Sequence, residues 1–347
     1  MKTRSAGSST RVTLSDIARI AGVSVTTVSR VLGGRAGEVK ISEKTSRRIQ
    51  EIARDQGYRP NLFAKALRTN KSHLVGLVVW DYANPYFAAI VVGAQTTLAQ
   101  YGYTAVLSDA RQSETELCAS LSRIDDFQTD GAVVIGGPAE PSALALADRR
   151  GDPGRTVFVA AQNPLPGGAT VVADNYEGGR LGVDYLIRHW QRPLVWLRPK
   201  ESNYDVNERV RGIEAGVAAH QYETEFTTRV TELGEDGGYR TCSELLRHTA
   251  PPFSLFAFTD LTALGALHAV HDAGLRVPDD VAILGFDDLS IAPHVYPPLS
   301  TIRQPRGSLG RRGAELLVQH LENADRETGD LPRLETLPTE LVIRDTA

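Results

Sequence analysis

The sequence predicts a small all-α helix-turn-helix module followed by an α/β core of two doubly wound lobes. Three observations predict it. The first 71 residues hold 15 Lys and Arg against five acids, a net +10, while the remaining 276 residues sum to −14. Between Thr13 and Gly57, apolar residues recur at helical spacing and are broken by glycine turns. From His73 onward, short apolar runs alternate with longer amphipathic segments, the pattern of βα units. A chain of 347 residues has room for two or three domains with ample core.

Composition narrows the class. At 41% hydrophobic and 23% charged residues, the chain reads as globular. Cys118 and Cys242 are the only cysteines and form no CxxC pair, so a disulfide framework and a Cys-rich zinc module are excluded. No apolar run approaches the ~18 residues of a membrane helix; Ala88 to Ala94 is among the longest. The start, MKTRSAGSSTR, lacks an apolar h-region, so no signal peptide is expected and a cytoplasmic protein is. A compact basic module on an acidic body points the small part at a polyanion, with nucleic acid favoured over a merely solvated face.

In TLSDIARIAGVSVTTVSRVLGG, Thr13 and Asp16 make a capping-box-like start. Leu14, Ile17, Ala18 and Ala21 share one helical face, Gly22 permits a tight turn, and Val23 follows as an apolar plug. Ser24 suits the N-cap of a second helix whose Val28, Val31 and Leu32 pack back on the first. Ser42 to Gln56 completes a three-helix core and stops at Gly57. Two short helices joined this way make the motif whose second helix enters the major groove. Val25, Thr26 and Arg30 would reach base edges: Arg30 as a bidentate partner of guanine or on phosphate, Val25 and Thr26 against thymine methyls. Ser24 and Thr27 read as capping or phosphate-positioning groups.

Arg59-Pro60-Asn61-Leu62-Phe63-Ala64-Lys65-Ala66-Leu67-Arg68 then reads as a stop followed by a helix of under two turns, too short to stand alone. With the helix-turn-helix run, this RPN…AxxL segment resembles the LacI/GalR family of bacterial transcriptional regulators. The resemblance spans nearly all of residues 13–345 and ends on Leu337-Pro338-Thr339-Glu340-Leu341-Val342. It implies a helix-turn-helix domain over 11–58, a hinge over 59–71 and an effector-binding, dimerising core over 72–345, like periplasmic binding proteins. It also implies that Leu67 wedges into the minor groove at a central CpG, with Ala64 and Arg68 beside it; ordinary core packing is the other reading of Leu67. A homodimer on a near-palindromic operator, controlled by a small effector such as a sugar, is the implied function.

In the core, strands are expected at 73–79, 104–108, 131–135 and 156–160, with helices at 84–100, 114–127 and 141–149. A second series follows: strand 170–173, helix 177–188, strand 194–197, helix 207–220, strand 225–230, helix 238–248, strand 254–258, helix 261–272 and strand 281–285. Ligands in such lobes bind at the carboxyl ends of the strands. No phosphate loop, nucleophile elbow or zinc-protease motif is present, and the eight histidines are scattered, so neither catalysis, metal nor cofactor is expected. The glycine pairs at 136–137, 178–179 and 237–238 read as strand-end turns.

The resemblance assigns the effector contacts. Tyr86 and Phe87, in Asn84-Pro85-Tyr86-Phe87, would stack on the ligand; Arg209, in Asn207-Glu208-Arg209-Val210-Arg211-Gly212, would be its arginine. Asp287, in Gly285-Phe286-Asp287-Asp288, would accept from ligand hydroxyls, and Glu177, Leu233 and Gln304 align with further cleft positions. Structural roles compete at Glu177, as a first-turn acid, and at Asp288, as a helix cap. The chain departs from the family at Thr259-Asp260, where Asn-Asp is usual, and at Arg198 and Lys200, which hint at an anionic effector or form a solvated loop. A solute-binding protein of the same core fold is the alternative, though it leaves the basic module unexplained.

Overall fold

The computed structural model describes residues 12–33, 41–58, 71–138, 152–162, 168–200, 202–220, 225–323 and 333–347. They fall into two compact units, Met1–Ser72 and His73–Ala347.

In the first unit, α1 (Leu14–Ala21), α2 (Val25–Leu32) and α3 (Glu43–Asp55) begin where the caps predict. The Asp16 amide donates to the Thr13 hydroxyl and the Asp16 carboxylate accepts from the Thr13 amide, a complete capping box. Gly22 ends α1 at φ +64, a left-handed setting that costs glycine nothing. Ile17, Ala18, Ala21, Val28, Val31, Ile49 and Ala53 bury the shared core. The expected hinge, with Ala64, Leu67 and Arg68, and the expected helix at 141–149 lie outside the described residues.

The second unit carries two six-stranded sheets. The first contains β1 (Leu74–Val79), β2 (Thr104–Asp109), β3 (Gly131–Ile135), β4 (Thr156–Val159) and β5 (Thr170–Ala173), with α4 (Pro85–Gln100) and α5 (Glu114–Asp126) between strands. The second contains β6 (Leu194–Pro199), β7 (Phe226–Thr231), β8 (Phe253–Ala257), β9 (Val281–Asp287) and β10 (Ser300–Arg303). Its connecting helices are α6 (Asn175–Trp190), α7 (Tyr204–Ala219), α8 (Glu235–His248) and α9 (Asp260–Asp272). Each lobe buries a near-continuous apolar layer under parallel strands.

The lobes are not the two sequential runs expected. β5 pairs with β4 in the first sheet, not the second, while α6 directly after it packs Val183, Leu186 and Ile187 into the second lobe. The chain crosses back after β10: α10 (Arg306–Asn323) buries Leu309, Leu316, Leu317 and Leu321 in the first lobe's core. β11 (Glu335–Leu337) then joins β5, and β12 (Glu340–Val342) runs antiparallel to β10. Three crossovers therefore connect the lobes, at Asp174, at Gln304-Pro305 and at Pro338-Thr339. Hydrophobic period gives an element's buried face but not the sheet that face meets.

The glycine pairs at 178–179 and 237–238 also lie inside helices rather than in turns. They allow helix axes to touch: a Cβ on Gly179 would stand 2.7 Å from the Arg209 carbonyl, and one on Gly212 would overlap the Tyr176 carbonyl outright. This contact seats α7 on α6 and places Arg209 beside Asn175. Gly212→Ala is expected to destabilise the core by about 1–3 kcal/mol, since neither backbone can yield locally. A thermal melt unchanged from wild type would contradict the close packing.

Candidate functional site

Helix α2 separates its faces sharply. Val28 and Val31 are buried, whereas Ser24, Val25, Thr26 and Arg30 are exposed and Thr27 half-buried. The Ser24 hydroxyl accepts from the Thr27 amide at 3.1 Å and shares a hydrogen bond with its hydroxyl at 2.8 Å. That cap fixes the first turn and leaves Val25, Thr26 and Arg30 as the outward surface of the helix. With Arg30 among them, these outward side chains suit a groove lined with acceptors and methyls.

In the second unit, residues from both lobes converge at the crossovers. Tyr86 opens α4, after Asn84 caps that helix and Pro85 takes its first position. Its hydroxyl donates to Gln304 Oε1 at 2.9 Å, and Gln304 Nε2 donates to Asp287 Oδ1 at 2.7 Å. Asp287 Oδ1 stands 3.7 Å from Arg209 Nη2. Arg209 is 4% exposed; Nε donates to Asn175 Oδ1 at 2.7 Å, Nη1 to the Phe258 carbonyl at 2.6 Å, and its plane lies over the Phe286 ring at 3.6 Å. Two hydrogen bonds and the Asp287–Arg209 contact thus link the first lobe, a crossover and the second lobe.

Asp287 is held in a costly backbone setting, φ +123, followed by Asp288 at φ +51. The neighbouring contacts impose it. Asp288 accepts from Arg303 and Arg344, each at 2.7 Å, rather than capping a helix. One residue on, the Leu289 amide donates to Asp260 Oδ2 at 2.7 Å, and Asp260 Oδ1 accepts from Thr301 at 2.5 Å.

Electrostatics follow from burial. Desolvation raises Asp287 to about 8 against the pull of Arg209, with Asp260 adding to the rise. Asp260 and Asp205 rise to about 6 for the same first reason, opposed at Asp260 by its two hydrogen bonds and at Asp205 by Arg209. An unfolded aspartate titrates near 4, so the folded core holds extra protons between that value and about 8. Protons bound by the native state mean stability that falls as pH rises through this window. The melting temperature is expected to be higher at pH 6 than at pH 8.5, with a smaller difference in Asp287→Asn. A rise with pH over the same range would contradict it.

The remaining expected contacts are not drawn into this cluster. Phe87 is buried in the first lobe's core, against Gly136 and edge-on to Tyr86 at 5.1 Å. Glu177 forms a two-pronged pair with Arg180 at 2.6 and 2.8 Å, which lowers its pKa. Leu233 is exposed past the end of β7. Arg198 is half-buried at the end of β6, and Lys200 is exposed. Asn175, Asp205 and the Phe258 carbonyl join the cluster without a local signal in the sequence, since each meets its partner across 30 residues or more.

Two family profiles match the chain. Residues 13–61 match bacterial regulatory proteins of the lacI family, and residues 183–347 match the periplasmic binding protein-like domain. The order of the two matches is that of the two units. Residues 13–61 are thus a lacI-family helix-turn-helix domain, and the second unit carries a periplasmic-binding-protein-like domain. Relatives match along most of the chain. The HTH-type transcriptional repressor PurR of Photobacterium profundum is 27% identical, covering 96% of this chain and 97% of its own. The ribose operon repressor of Escherichia coli is 26% identical over 89% of this chain and 93% of its own. Among solved structures, the lac repressor dimer bound to operator and an anti-inducer superposes with a TM-score of 0.85 at 25% identity, covering 97% of this chain and 99% of that one. These relatives are repressors rather than enzymes. Among the described residues, no helix is long and apolar enough to cross a membrane.

Proposed function

We propose that this protein is a cytoplasmic lacI-family transcriptional repressor that binds a near-palindromic operator as a homodimer. Residues 11–58 read the DNA, 59–71 form the hinge, and 72–345 bind a small effector and dimerise. Val25, Thr26 and Arg30 contact base edges, with Ser24 and Thr27 at phosphates. Leu67, flanked by Ala64 and Arg68, enters the minor groove at a central CpG. Tyr86, Arg209, Asp287 and Gln304 form the effector set.

The observation that carries this reading is the buried Tyr86–Gln304–Asp287–Arg209 chain, which joins the two lobes in a protein that also bears a basic helix-turn-helix. A ligand that competes for these partners changes how the lobes are held together. Tyr86, Gln304, Asp205, Asp287 and Arg209 offer a mixed set of donors and acceptors, which favours a neutral, hydroxyl-rich effector such as a sugar over a phosphorylated one. No cofactor is required. A solute-binding role without regulation accounts for the core but not for the match over residues 13–61.

Selection from random duplexes tests the DNA half: an inverted repeat with central CpG is expected, with binding that weakens steeply as salt rises. Equal affinity for a scrambled duplex would overturn sequence-specific binding. A thermal-shift screen over sugars, sugar phosphates and nucleobases tests the effector half, because a ligand at a hundred times its Kd adds about 2.7 kcal/mol of stability. Stabilisation by phosphorylated compounds alone would overturn the neutral-effector reading.

A further inference from the structure

We infer that Asn175 is a positioning residue for the effector site: it sets the orientation of Arg209 and ties it to Asp205 where the chain first crosses between the lobes. Asn175 is 1% exposed, the first residue of α6. Its Nδ2 donates to the Ala173 carbonyl at 3.2 Å and to Asp205 Oδ1 at 2.9 Å, while its Oδ1 accepts from Arg209 Nε at 2.7 Å. The neighbours dictate which way the amide faces, because a guanidinium only donates and an ionised carboxylate only accepts.

Few side chains satisfy both sides at once. Aspartate offers no donor to Asp205 or Ala173, and alanine offers nothing. With Nε on Asn175, Nη1 on the Phe258 carbonyl and the plane stacked on Phe286, Arg209 has its rotation fixed. Its Nη2 edge faces Asp287 at 3.7 Å, beyond hydrogen-bond reach, and is the edge left for an incoming oxygen. Asn175 follows β5 after Asp174 alone, so a shift of Arg209 bears directly on the first crossover. The role as effector positioner rests on reading the cleft as the effector site, whereas the link between Asn175 and Arg209 is measurable with no effector present.

The test is hydrogen exchange of the Arg209 Nε–H, followed by arginine-selective nitrogen-15 NMR of the full-length protein and assigned by its loss in Arg209→Lys. In Asn175→Ala, exchange is expected to speed up by about tenfold or more as the buried partner disappears. The double variant Asn175→Asp, Asp205→Asn reverses donor and acceptor across the pair and keeps an acceptor for Nε. Its exchange is expected to return to within about threefold of wild type, a rescue that a general loss of packing would not give. Exchange in Asn175→Ala equal to wild type would overturn the role, as would a double variant no slower than Asn175→Ala. Should Asn175→Ala fail to fold, the double variant decides alone: protection of Nε–H supports the role and its loss refutes it.

Discussion

Arg209→Ala and Asp287→Ala proteins are expected to bind operator with near wild-type affinity and to show no response to the effector found in the ligand screen. Both residues are buried at the junction of the lobes, 4% and 3% exposed, and neither lies in the helix-turn-helix unit. A ligand shifts a two-state equilibrium only through its differential affinity for the two states. Removing the groups that carry this difference removes the shift, and reciprocity leaves the protein in its default DNA-binding state. With an inducer, these variants are constitutive repressors; with a corepressor, they lose ligand-promoted binding. Because Arg209→Ala takes the guanidinium away from Asp205, Asp287 and Asn175, Arg209→Lys serves as the fold control. Operator titration with and without the ligand is the measurement. A normal response in both alanine variants would place the effector elsewhere.

The sequence was legible where local chemistry fixes the structure. Thr13, Ser24 and Ser42 each occupy an N-cap, and the caps locate α1, α2 and α3 to the residue. β3 and β5 have their expected bounds because each is a short apolar run between turns. Legibility failed where a contact spans the chain. β5 was expected in the second lobe because the helix after it belongs there. Helix α10 has a weak signal in the sequence: Gly307, Gly310 and Gly313 depress its helix propensity, yet the Gly310 surface is where the Ile90 backbone of α4 rests. Arg209 and Asp287, 78 positions apart in the sequence, were paired only through the family resemblance. Asn175 meets Asp205 across 30 residues and Arg209 across 34, so no local pattern marks it. Glu177 is assigned to the effector on the same grounds as Arg209, and its carboxylate pairs with Arg180 one turn along the helix.

Arg30→Ala is expected to weaken operator binding by about 1–3 kcal/mol, roughly five- to 150-fold, with a much smaller effect on random DNA. The direction of the side chain follows from its neighbours. Val28 and Val31 are buried on the inner face of α2, 0% and 5% exposed, which turns Arg30 outward with Thr26 one turn before it. A planar fork presented from the second helix matches guanine O6 and N7 with two parallel hydrogen bonds, and few other side chains do so. Losing that pair costs affinity only where the guanine is present. A phosphate contact behaves differently, because every duplex has phosphates: its loss lowers operator and random binding alike and reduces the salt slope by about one. Gel-shift titrations of wild type and Arg30→Ala on selected and scrambled duplexes, across a salt series, separate the two. Equal losses on both duplexes, with a shallower slope, would make Arg30 a backbone contact and leave base reading to Val25 and Thr26.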